Sequence, residues 1–142
     1  MGLDELKNLA KVGQLKPEPR DINEVQRMLR MATTRLNDAK LTRLSTEGRF
    51  TSAYNAAHMA ALAALRWRGY RSENRFTVFQ CLAHTVNWRT NQWRVLDTAH
   101  HKRNLAEYEG LLDVEQSLVD ELIEISEQLL KDVQHMIEMN NP

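Results

Sequence analysis

Residues 45–69 read STEGRFTSAYNAAHMAALAALRWRG, and this stretch decides the fold class. Ser45 and Thr46 carry side chains that accept hydrogen bonds from the free N–H groups opening a helix, and Gly69 suits its exit. Between them Ala53, Ala56, Ala57, Ala60, Ala61, Ala63 and Ala64 leave little bulk on more than one face. Alanine favours helix and lets neighbouring backbones approach closely. The stretch therefore predicts the central helix of a helical bundle.

The flanking sequence repeats the pattern. Asp21 and Glu24 form a capping-box pair, followed by Ile22, Val25, Leu29, Ala32, Leu36 and Ala39 at spacings of three and four, which predicts an amphipathic helix over 21–43. Upstream, Leu3, Leu6, Leu9 and Ala10 precede Gly13 and the Pro17-Glu18-Pro19 break, so residues 1–19 read as an N-terminal arm or short helix with a linker. Residues 20–142 read as a single helical-bundle domain. Downstream, Arg71 to Asn74 reads as a loop, and Phe76, Val78, Phe79, Leu82 and Ala83 predict a short helix to Val86. Thr90 caps a further helix with Trp93, Leu96, His100, Arg103 and Glu107 on one face, ending at Gly110. Asp113 with Gln116 opens a last helix with Leu118, Leu122, Ile125, Leu129, Val133 and Met136 inward. Its Glu121, Glu124, Glu127 and Asp132 point mostly outward. The short connections favour antiparallel neighbours, hence an all-α, up-and-down bundle of four to five helices.

Composition agrees. The chain has 142 residues, 42% hydrophobic and 27% charged, which disfavours general disorder, and its 5 Gly, 3 Pro and 6% aromatics are few for a sheet protein. Cys81 is the single cysteine, so no internal disulfide forms, and its apolar neighbours Phe79 and Leu82 suggest a buried thiol. A cytoplasmic location is expected from that thiol and from an acidic N-terminus without a signal-peptide pattern. No membrane span is expected, because Ala56 to Leu65 is too short and includes His58.

The zero net charge conceals an asymmetry. Residues 20–103 hold 15 Lys/Arg against 6 Asp/Glu, whereas residues 104–142 hold 1 against 10. Either an anionic partner meets the basic part, or the acidic last helix neutralises it within the molecule. Metal chemistry in a bundle needs several carboxylate and His ligands, and only Asp132-x-x-His135 comes near, so no metal and no cofactor is expected. Phosphate-cradling glycine loops and serine-nucleophile motifs are absent as well.

Two places carry candidate chemistry. In the first, Arg66, Arg68, Arg71 and Arg75 interleave with Trp67 and Tyr70 around a helix end. Arginines there cap the helix dipole, or they contact RNA phosphates while the rings stack on unpaired bases. In the second, His100, Arg103, Asn104, Glu107 and Tyr108 fall along one side of a helix. There they form either a solvated face with an Arg103 to Glu107 pair or a polar site carried into an interface.

Tyr54, Ala56, Ala57 and His58 in the Ala-rich helix, the Gly69 end, the short third helix and Arg103-Asn104-x-x-x-Tyr108 together resemble a HEPN domain (higher eukaryotes and prokaryotes nucleotide-binding), over residues 20–138. The resemblance implies a bundle of four or five helices, a homodimer, and RNA as ligand. Many members are metal-independent endoribonucleases of toxin-antitoxin or phage-defence systems, often beside a nucleotidyltransferase or antitoxin partner. Arg103 and Asn104 match the first two motif positions, and Tyr108 stands where the family has His. On this reading Arg103 holds the phosphate, Asn104 orients Arg103 or the 2′-hydroxyl, Tyr108 donates a proton, and His100 is the substitute acid or base. Arg66, Arg68, Tyr70, Arg71 and Arg75 would collect the strand. A phenol is a poor base at neutral pH, so a non-catalytic HEPN-like module that binds a nucleotide or a protein is the alternative. A helical scaffold or regulator with Trp67, Trp88 and Trp93 as interface anchors is the third reading.

Overall fold

A computed structural model describes residues 2–110 and 113–139. The chain forms α1 (Gly2–Lys11), β1 (Lys16–Pro17), α2 (Ile22–Ala39), α3 (Thr46–Trp67), β2 (Tyr70–Arg71), α4 (Arg75–Gln80), α5 (Leu82–Thr85), α6 (Thr90–Glu109) and α7 (Gln116–Met139). The fold is all-α apart from a two-residue antiparallel ladder that pairs Lys16 with Arg71 and Pro17 with Tyr70.

Two capping residues act as the sequence suggests: Asp21 accepts from the Glu24 N–H at 3.2 Å and Ser45 from the Gly48 N–H at 2.9 Å. Asn74, in the expected loop, caps α4 by accepting from the Thr77 N–H at 3.0 Å, and Thr90 is the first residue of α6, with Arg89 in the capping position. Gly110 ends α6 in the left-handed conformation, at φ 69°. The last helix departs from expectation. It starts at Gln116, so Asp113 is not its cap, and Gln116 donates instead to Asp120 at 2.9 Å. The expected helix 76–86 is stepped at Cys81 into α4 and α5. Thr77, Val78, Phe79, Cys81, Leu82 and Thr85 are all buried, and one straight helix would turn part of that set toward water.

Contacts between elements fix their directions. The end of α2 meets the start of α3 where Arg49 Nε donates to the Ala39 carbonyl at 2.8 Å, and the start of α2 meets the end of α3 where Arg66 Nε donates to Glu24 at 2.7 Å. These helices are antiparallel. Tyr54 meets His100, whereas Phe50 and Thr51 line a cleft with Ala106, so α6 also runs against α3. The Trp88 indole donates to Asp132 at 2.8 Å, and α7 runs back along α6. The four long helices thus alternate in direction.

α3 lies at the centre, in contact with α2, α4, α5, α6 and α7. Ala53, Ala57, Ala63 and Ala64 are fully buried, and Ser126 of α7 comes close enough to donate to the Ala53 carbonyl at 3.3 Å. Each small side chain admits a neighbouring helix, which is why a helix of low bulk holds the middle. The N-terminal segment is no free arm. Leu6 and Leu15 join the core, α1 packs on α5, and β1 pairs with β2.

The acidic last helix does little to neutralise the basic middle of the chain. Among the described residues a single ion pair, Lys40 to Glu127 at 2.8 Å, joins α7 to it, while Asp120, Glu121 and Glu124 face outward. Trp67 and Trp88 are buried within the bundle and Trp93 packs edge-on against Phe76, so the first two are not surface anchors. No helix among the described residues is long and apolar enough to cross a membrane.

Candidate functional site

The structure divides the arginine-rich stretch 66–75 into separate surroundings. Arg66, only 1% exposed, is enclosed by acceptors. Its Nε donates to Glu24 at 2.7 Å, Nη1 to the carbonyls of Glu18 and Tyr70 at 3.0 and 3.3 Å, and Nη2 to the Pro19 carbonyl at 2.8 Å. Arg71 shares the same carboxylates, at 3.0 Å to Glu18 and 2.5 Å to Glu24. Burial works to raise the Glu24 carboxyl, but hydrogen bonds from Arg66 and Arg71 outweigh it and hold it below its ordinary value. Arg66 and Arg71 therefore fasten the Glu18–Pro19 linker to the end of α3, and their donors are not turned toward a strand. Gly69, at φ 91°, permits the turn that brings its carbonyl to the Glu18 N–H at 2.9 Å. Arg68 and Tyr70 line a groove beside α1, apart from α6.

Arg75 belongs elsewhere. It stands at the start of α4, with its guanidinium carbon 5.6 Å from the centre of the Tyr54 ring. Arg103 of α6 places its own at 5.5 Å from the same ring. Two cations from different helices thus lie over one aromatic ring, a favourable arrangement for each taken alone. Arg103 is held besides by Glu107 at 2.7 Å. The Nη1 of Arg75 is buried outside hydrogen-bonding geometry with the described acceptors, and its guanidinium lies near enough to the Tyr54 hydroxyl to work against the rise in that group's pKa.

Behind the arginines runs a chain of hydrogen bonds. Tyr54 Oη lies 3.0 Å from His100 Nδ1, and His100 Nε2 lies 3.2 Å from Asn104 Nδ2. With the amide so placed, Asn104 donates to Nε2, and Nδ1–H donates to the Tyr54 oxygen. Either amide orientation engages both ring nitrogens. His100 is therefore held in place by its neighbours, and Asn104 orients His100 in preference to Arg103. Burial lowers the His100 pKa and raises that of Tyr54, so both are neutral near pH 7.

His58, one turn along α3 from Tyr54, completes the cluster against Phe79. Burial, and the nearby charges of Arg75 and Arg103, push its pKa down to about 4. It makes no hydrogen bond among the described residues. A small cleft of about 170 Å³ opens beside the cluster, between Phe50, Thr51, Tyr54 and Arg103, Ala106, Glu107.

Of the residues singled out in the sequence, Arg75, His100, Arg103 and Asn104 come together. Tyr108 does not join them. It is 86% exposed, in the last turn of α6. Tyr54 and His58 are the residues that a reading of the Arg103 motif leaves out, although their four-residue spacing on α3 places them on one face. Asp132 is engaged by Trp88 and Gln128, and no group of three metal-ligating side chains occurs among the described residues. Cys81 is buried, and burial pushes its thiol up to about 11, which makes it a poor nucleophile. No protein-family model, curated protein or solved structure matches the chain.

Proposed function

We propose that the chain is a HEPN-like protein that holds a phosphate of single-stranded RNA between Arg75 and Arg103. The observation that carries this reading is the convergence of two guanidinium groups on the Tyr54 ring. Like charges gathered at one ring repel, and an anion between them turns the repulsion into attraction. Glu107 is half exposed, and an i,i+4 pair of this kind contributes only a few tenths of a kcal/mol, so a phosphate can displace it from Arg103. Leu105 and Tyr108 are exposed on α6, where a second copy meeting along that helix would cover them.

Scission without a metal requires that the 2′-oxygen attack phosphorus while a base takes its proton and the leaving 5′-oxygen gains one. His58 suits the base, since it is neutral and its nitrogens are uncommitted. A bound phosphate offsets the positive charge of Arg75 and Arg103 and so raises its basicity. The second reading, binding without turnover, is favoured by the engagement of both His100 nitrogens and by the outward position of Tyr108.

Fluorescent single-stranded RNA titrated into the protein tests both. Arg75→Ala and Arg103→Ala are expected to weaken binding about tenfold or more each, and Tyr108→Phe to leave it unchanged. His58→Gln should retain binding and stop any cleavage. RNA affinity undiminished in the Arg75→Ala/Arg103→Ala double variant refutes the site.

A further inference from the structure

A second cationic site lies against α1, and its carboxylates are missing. Lys7 and Lys11, one turn apart on α1, face Arg68 across a groove of about 520 Å³ that is also lined by Pro17 and Tyr70. No Asp or Glu lines it, and neither lysine nor Arg68 forms an ion pair among the described residues. Arg20 adds a fourth positive charge. Its guanidinium lies 3.7 Å over the Trp67 ring, and its Nε donates to the Trp67 carbonyl at 2.6 Å.

The contrast with the adjacent residues is what makes the groove informative. Arg66 and Arg71, two and three positions away from Arg68, each have carboxylate partners. Arg68 has none, its Nε is buried without an acceptor, and the indole N–H of the neighbouring Trp67 is likewise buried and unpartnered. Burial, together with the charge of Arg20, works against the protonated form of Arg68. A buried donor without an acceptor is costly, and a cation crowded by another is more so. The C-terminal pole of α1 opposes an anion by only about half a charge, against three full cations around the groove.

We infer that this groove is a binding site for a pyrophosphate group, free or carried by a nucleoside diphosphate. Two adjacent phosphates supply acceptors for Arg68 and counter-charge for Lys7 and Lys11, and the volume admits a ligand of nucleotide size. The ring of Tyr70 and the face of Pro17 border the space left for a base. The site is separate from the Arg75–Arg103 cluster and does not depend on its function.

The test is a titration of the full chain with inorganic pyrophosphate and with ADP in low-salt buffer, followed by calorimetry and by melting temperature. Pyrophosphate is expected to bind and to raise the melting temperature. Lys7→Ala/Lys11→Ala is expected to weaken binding about tenfold or more and to melt no lower than wild type without ligand, since both lysines are exposed. Arg68→Gln is expected to weaken it as well. Tighter binding of ADP than of pyrophosphate, reduced to the pyrophosphate level by Tyr70→Ala, identifies the nucleotide as the source; equal binding identifies free pyrophosphate. Absence of binding by both ligands, or binding undiminished in the lysine double variant, overturns the inference.

Discussion

Replacing Arg66 by Met separates two accounts of the arginine-rich stretch. The side chain makes four hydrogen bonds, one to the Glu24 carboxylate and three to the carbonyls of Glu18, Pro19 and Tyr70. Removing one partner from a buried ion pair costs about 3–5 kcal/mol, because the remaining charge and the carbonyls lose their donors. Glu18 and Glu24 are partly exposed and keep Arg71, which argues for the lower end, about 3 kcal/mol. For a chain of this length that corresponds to a melting temperature lower by about 6–12 °C. Thermal and urea unfolding followed by circular dichroism measure it. The double variant Arg66→Met/Glu24→Leu should recover part of the loss, since the carboxylate left with only Arg71 as partner goes too. Glu24 has a depressed folded pKa, so its contribution is present above the unfolded value and fades as pH falls through the folded one; Glu24→Gln should therefore flatten the acid limb of the stability curve. A loss below about 1 kcal/mol in Arg66→Met, accompanied by weaker RNA binding, would refute the structural role assigned to Arg66.

Two further outcomes follow from the core. His58 has a folded pKa of about 4, below its unfolded value, so the unfolded chain takes up the proton first and stability falls as pH drops from 6.5 toward 4. At pH 5 this amounts to about 2 kcal/mol relative to pH 7, and His58→Leu should be correspondingly less sensitive; an acid limb identical to that of wild type would sink the assignment. Ala57→Leu forces three extra carbons into the contact of α3 with its neighbours and should cost about 1–3 kcal/mol in urea titrations, whereas unchanged stability would mean that the helices have room to spare.

Much of the architecture was legible because it is written locally. The three-and-four spacing of Val25, Leu29, Ala32 and Leu36, the caps at Asp21 and Ser45 and the left-handed Gly110 are decided within a few residues of chain. The features that escaped are long-range. Nothing near Arg66 in the sequence announces that Glu18 and Glu24 lie against it, since the pairing spans more than forty residues. The same holds for Tyr54 and His100, which are 46 positions apart and meet only because α6 crosses α3. Arg75 was grouped with Arg66 by proximity along the chain, yet the turn at Gly69 and the start of α4 deliver it to another surface. Arg103 and Asn104 could be chosen from their motif, but the exposure of Tyr108 depends on how the end of α6 packs, which the sequence around it does not state.

The attachment of α1 and β1 sets an order of assembly. Their partners are α5 and β2, so residues 2–17 leave the ribosome well before residues 70–85, on which they pack. Until then Leu6 and Leu15 have no apolar surface of their own to cover them. Nascent chains halted before residue 70 should hence leave this segment open to proteases and to chaperones that recognise leucine, and closure of the bundle should await the later half of translation.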